Sequence, residues 1–214
     1  MRRGGLGPRP VNPEQGFKPF RRVIERSVLF TTGTDRVREA ATVEAPKHRR
    51  LIRSARDGRI VNALTLPLFL LRPPPGFGVI TTKGRKTGKK RRRCIRTVRR
   101  GNRAYLVALR PPEMAIRNPT AASGWVWNIR ANPNVKLRIR DGTFAGVARE
   151  LTDAEELAEA RDVLCETVDL GDYIECVLHL RGLPTRSKIQ NLRRYWFVTG
   201  IPLVIEFAER EEER

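Results

Sequence analysis

The sequence predicts a mainly β fold with helices, of the α+β class, closed into a small barrel. Three observations carry this expectation. Six short segments have strand chemistry and are joined mostly by turns, as antiparallel strands are. Few helical segments stand between them, so a parallel doubly wound sheet, which alternates strand with helix, fits poorly. The 214 residues are 40% hydrophobic, enough for a buried core despite 31% charged residues.

In chain order, residues 1–20 are rich in Gly, Pro and Arg and read as a flexible lead-in. Residues 19–30 and 46–56 fit short basic helices, the second closed by Gly58. Residues 60–71 are apolar, predicted to pack on a core or lie at an interface, and Arg72-Pro73-Pro74-Pro75-Gly76 breaks them. Residues 77–82 read as the first strand. Residues 91–98 and 104–109 flank Arg99-Arg100-Gly101-Asn102-Arg103 as a hairpin. Val135, Leu137 and Ile139 alternate with Lys136, Arg138 and Arg140, the period of a half-buried strand. Asp141-Gly142 turns the chain into 143–150, and Thr152-x-x-Glu155 reads as a capping box before a helix carrying Leu157, Ala160, Val163 and Leu164. Residues 201–207 form the last strand. The expected organisation is a basic N-terminal extension with short helices (1–58), a barrel domain (59–208) and a charged tail (209–214).

Charge narrows the function. Lys and Arg number 43 against 23 Asp and Glu, a net +20 with a pI of about 11.3. An anionic partner is expected. No apolar run approaches the roughly 20 residues of a membrane span, and the N-terminus lacks the apolar stretch of a signal peptide. Cys94, Cys165 and Cys176 are odd in number and lack C-x-x-C spacing, which predicts reduced thiols, no disulfide scaffold and no metal site. A cytoplasmic protein is expected.

The charge concentrates between Lys83 and Arg103, where basic residues run without an acidic one. Within this run, Gly84 and Gly88 flank Arg85-Lys86-Thr87 between two strands. Glycine permits positive φ and close backbone approach, so loop amides can face an anion. Arg85, Lys86 and Arg91 add charge-assisted donors, and Thr87 adds a hydroxyl. The segment has the chemistry of a phosphate cradle, although neither the P-loop pattern nor G-x-G-x-x-G is present.

Thr81-Thr82-Lys83-Gly84-Arg85-Lys86-Thr87-Gly88 resembles the T-T-x-G-R-[KR]-[ST]-G signature of the deazaflavin-dependent nitroreductase family. Trp125-Val126-Trp127-Asn128-Ile129-Arg130-Ala131-Asn132-Pro133-Asn134-Val135 is similar to that family's W-x-x-N-L-x-A-N-P-x-V block, and Ile201-Pro202-Leu203-Val204-Ile205 to its closing strand. The resemblance implies a split β-barrel related to flavin-mononucleotide-binding barrels, often dimeric. It also implies coenzyme F420, an 8-hydroxy-5-deazaflavin with a phosphate and an oligoglutamate tail. Hydride would pass from the reduced cofactor to a nitro compound, quinone or other conjugated small-molecule acceptor. By the same resemblance, Gly84, Arg85, Lys86, Thr87 and Arg91 would hold phosphate and tail. Trp125 would pack by the ring, and Asn128 would offer its amide to the cofactor. Arg110 stands where relatives carry a Ser-Lys-Gly-Gly run and would replace its lysine charge. Tyr173 and Tyr195 are acceptor-side candidates.

A rival class is a basic protein that binds nucleic acid or an anionic membrane without catalysis. No aromatic residue lies within the 83–103 run, which disfavours stacking on single strands. Basic segments near Phe17, Phe20 and Leu29, with residues 60–71, would suit peripheral contact with the inner face of the plasma membrane. His48 and His179 lack ligand-spaced partners and read as surface and core. Cys94 reads first as a small strand residue; the adjoining basic cluster would lower its thiol pKa, which makes a reactive thiol the lesser alternative.

Overall fold

The computed structural model describes residues 55–109 and 122–208, with the side chains of 55–58 left aside. The predicted helices at 19–30 and 46–54, the lead-in, the tail and Arg110 lie outside the described residues.

The described chain opens with helix α1 (Ala55–Leu71). Gly58 does not end it, and Pro67 lies inside it, which corrects the expectation of a break at Gly58. One interior glycine costs only about 1 kcal/mol relative to alanine, too little to stop a long apolar helix. The helix ends where the Arg72 N–H donates to Leu68 O at 2.9 Å, before the proline run.

Seven strands follow: β1 (Phe77–Lys83), β2 (Lys90–Arg96), β3 (Val98–Arg100), β4 (Arg103–Ala108), β5 (Asn134–Ile139), β6 (Gly142–Glu150) and β7 (Ile201–Phe207). They form one antiparallel sheet in the order β2-β1-β5-β6-β7-β4-β3. Its two edge strands, β2 and β3, are separated in sequence by Thr97 alone. A flat sheet would hold its edges some 30 Å apart at about 4.8 Å per strand. The chain therefore forces the sheet to curl until its edges meet, as a half-barrel. Thr97 is the corner: buried, it donates its N–H to Gly76 O at 2.9 Å and its hydroxyl to Tyr105 O at 3.2 Å.

The predicted strand at 91–98 is thus two strands, and the hairpin at Gly101-Asn102 joins β3, not β2, to β4. The reason is the corner, which turns the chain from one sheet edge to the other.

Alternation builds the core. Ile80, Leu106, Leu137, Ala148, Leu203 and Ile205 point into the barrel, closed by Val126 and Ile129 of helix α2 (Gly124–Ala131). The intervening Tyr105 and Val204 face outward against helices α3 (Ala154–Glu166) and α5 (Arg186–Thr199), through Leu157, Ala160, Val163 and Phe197. The α3 cap sits one residue later than predicted. Asp153, not Thr152, accepts the N–H groups of Glu155 and Glu156 at 3.0 Å. The Leu151 N–H still belongs to the sheet, donating to Pro202 O at 3.0 Å, so the helix starts later.

Between α3 and α5 lies α4 (Leu170–His179), which the sequence reading did not assign. Asp172 on α4 is buried and accepts from Arg96 of β2 at 2.8 and 3.1 Å, and from Arg193 of α5, which also reaches Glu175. This ion network ties the helical layer to the barrel edge. Among the described residues, no helix is long and apolar enough to cross a membrane.

Candidate cofactor site

The turn between β1 and β2 is pinned at both ends. Lys83 pairs with Lys90 across the ladder, and the Gly84 N–H donates to Lys89 O at 2.9 Å. Inside it, the Gly88 N–H donates to Gly84 O at 2.7 Å, and the Lys89 N–H to Thr87 Oγ1 at 3.4 Å. Gly88 has φ +67°, a conformation that disfavours any side chain. A Cβ at Gly84 would stand 3.1 Å from both Lys89 O and Thr87 Oγ1, and 3.6 Å from Arg91 Nε. Thr87 and Arg91 therefore converge over the bare backbone of Gly84.

Asn128 fixes the turn to α2. Only 9% exposed, it accepts the Arg85 N–H at Oδ1 (3.1 Å) and donates from Nδ2 to Thr82 Oγ1 (3.2 Å). These two bonds shape the loop and still leave the amide one N–H and a lone pair over. Four loop amides, those of Gly84, Arg85, Gly88 and Lys89, are satisfied within the protein. Among the described residues, the amides of Lys86 and Thr87 have no partner, and they leave the turn with two donors for a ligand.

The charges around the turn are unspent. Arg85, Lys86, Lys89, Lys90 and Arg91 are exposed, and among the described residues no carboxylate pairs with them. Several other cations are paired: Arg103 with Glu156, Glu159 and Glu206, Arg149 with Glu156 and Glu206, and Arg130 with Glu150. Arg99 lies 4.1 Å from the Phe144 ring centroid and 5.3 Å from that of Phe207. Unpaired positive charge is thus dense on the turn, with Arg85, Lys86, Lys89, Lys90 and Arg91 within seven residues. Beside it opens a groove of about 730 Å3, to which Lys83, Lys90 and Lys136 add charge and Ala145, Val147 and Phe207 an apolar wall.

The other predicted residues divide. Trp125 is half-buried against the barrel core at the start of α2. Trp127, two residues on, is 36% exposed and carries the Arg85 and Arg130 guanidinium groups over its ring at 5.4 and 4.5 Å. The sequence reading gave Trp127 no role. Tyr173 and Tyr195 lie in a cluster with Cys176, Leu180, Ile189 and Leu192, and Tyr195 is 4% exposed. That cluster adjoins Arg96, at the end of β1 and β2 away from the turn. Six residue steps of strand put Arg96 itself roughly 20 Å from Lys90 at the edge of the turn.

Cys94 is a β2 residue, as first read, and not the reactive thiol of the alternative. Burial pushes its thiol pKa up, against the lowering effects of a Thr65 hydrogen bond and the Arg93 charge. Asn62 of α1 covers this edge, accepting the Cys94 N–H at 2.8 Å.

The described residues thus form a curled antiparallel half-barrel, a split-barrel fold, with exposed cations gathered on the β1–β2 turn. Residues 47–175, more than half the chain, match the F420H(2)-dependent quinone reductase family, and the protein belongs to it. It is an oxidoreductase that uses coenzyme F420. It is similar to the solved structure of an F420-H2 dependent reductase, at 21% identity over 62% of this chain and 96% of that one, with a TM-score of 0.40. A protein solved as a domain-swapped dimer is 22% identical over 82% of this chain and 100% of its own, at a TM-score of 0.43. An FAD-binding protein from Mesorhizobium loti is 14% identical over 73% and 91%, at 0.36.

Proposed function

We propose that this protein reduces a quinone, nitro compound or other conjugated acceptor, holding the cofactor by its phosphate and tail at the 84–91 turn. The observation that carries the reading is the concentration of unpaired cations and two open amides on that turn. The donor set fits the group: a phosphate and several carboxylates need many cations and N–H groups, and few acidic neighbours.

When bound, reduced coenzyme F420 supplies a hydride. The chain's own residues bind and orient. The missing side chain of Gly84 lets Lys89 O and Thr87 Oγ1 pack close and shape the turn, and the Lys86 and Thr87 N–H groups with Arg91 would meet the phosphate. Arg85 and Lys86 stand outward toward the tail carboxylates. Asn128 holds the turn in shape, and Trp125 offers the flat edge of the barrel core to the ring. Tyr173 and Tyr195 stay candidates for the acceptor side.

Anaerobic mixing of the full chain with reduced cofactor and a soluble quinone or nitroarene tests the reading, since the oxidised cofactor's fluorescence reports turnover. Fluorescence should recover with at least one acceptor class, and more slowly in Arg85→Ala/Lys86→Ala. A protein that binds the cofactor yet turns over none of these acceptors contradicts the proposed activity.

A further inference from the structure

Trp127 is a large aromatic side chain kept 36% exposed beside the most basic turn of the protein. Burying an indole is favourable, so its exposure needs a reason. Its ring carries two guanidinium groups, Arg130 at 4.5 Å and Arg85 at 5.4 Å. The two differ in one respect. Arg130 is committed to Glu150 through two hydrogen bonds of 2.6 and 3.1 Å. Arg85 has no carboxylate partner among the described residues. The residue after Trp127, Asn128, meanwhile holds the Arg85 backbone N–H at 3.1 Å. Consecutive residues of α2 thus fix the backbone and the side chain of the same arginine.

We infer that Trp127 is a positioning residue for the cofactor's anionic tail: it holds the Arg85 guanidinium over its ring and so aims it at a tail carboxylate. This rests on the reading that the turn binds the tail. An exposed arginine normally samples many rotamers, and fixing it on ligand binding costs entropy. A stacked guanidinium has met part of that loss beforehand, and its in-plane N–H fork stays open for a carboxylate while the ring covers one face. Because Arg130 is neutralised by Glu150, the second cation braces the indole without competing for the ligand.

The test is a set of fluorescence titrations of the full-length protein with two ligands. One is coenzyme F420 with its oligoglutamate tail. The other is the deazaflavin riboside that lacks phosphate and tail. Trp127→Leu should weaken binding of the tailed cofactor about three- to tenfold, the range of an exposed to partly desolvated cation–π contact. It should leave riboside affinity unchanged, and Trp127→Phe should retain most of the tailed affinity. The wild-type minus Trp127→Leu emission difference, which isolates Trp127 from Trp125 and Trp196, should change on adding tailed cofactor and not on adding riboside. Equal loss for both ligands, or no loss for either, overturns the inference. If Arg85→Ala/Lys86→Ala weakens the tailed cofactor while Trp127→Leu does not, only the Trp127 role falls. If neither variant weakens it, the tail site itself is wrong.

Discussion

The backbone N–H of Arg85 donates to Asn128 Oδ1 at 3.1 Å, across 43 residues of sequence. This bond joins the two motifs that define the candidate site. It makes the shape of the turn depend on α2, and with it the direction of the Arg85 side chain.

Asn128→Ala should therefore weaken cofactor binding without removing any ligand contact. One buried and one partly buried hydrogen bond are lost, at roughly 1 kcal/mol each. Titration should show an affinity about five- to tenfold lower, with the barrel's circular dichroism spectrum retained.

Gly88→Ala and Gly101→Ala form a matched pair. Both glycines have positive φ, +67° and +58°, so alanine should strain either by about 1–2 kcal/mol. Gly101 sits in the exposed β3–β4 hairpin, where a methyl group would meet nothing within 4 Å. Both variants should melt a few degrees lower, and only Gly88→Ala should lose cofactor affinity.

Asp172 should dominate the acid stability of the helical layer. Burial alone would raise its pKa, but the hydrogen bonds from Arg96 and the charges of Arg193 and Arg96 outweigh it and hold the carboxyl below its ordinary 3.8. Its stabilising contribution is present above the unfolded aspartate value and is lost as pH falls through the lower folded value. Asp172→Asn leaves Arg96 without a carboxylate and Arg193 with Glu175 alone, and should cost about 3 kcal/mol at neutral pH. Thermal melts from pH 7 down to pH 2 should show wild type falling toward the variant only at the acid end.

Cys94 should alkylate slowly at neutral pH, because burial raises its pKa despite Arg93 beside it. Asn62→Ala uncovers the β2 edge and should speed the reaction several-fold in an iodoacetamide time course.

Much of the barrel was legible because its rules are local. The alternation at 135–140 and the Asp141-Gly142 turn follow from a two-residue period and glycine's tolerance of positive φ. The glycine-bounded turn was legible for the same reason, since two glycines around Arg-Lys-Thr sit within one strand connection. Contacts distant in sequence were not. Nothing near Thr97 announces that its N–H is owed to Gly76, so the break between β2 and β3 was missed. Helix α4 is held by Asp172 bonds to Arg96, 76 residues away, which no local period records. Asn128 stood out through its motif, but its partners Arg85 and Thr82 could not be read from its spacing.

The measurement that bears most directly on the account is a cofactor fluorescence titration at physiological salt, wild type against Arg85→Ala/Lys86→Ala. Saturable binding by wild type, weakened at least tenfold in the double variant, is the predicted result. No binding by wild type, or equal binding by both, would contradict a cofactor held at this turn.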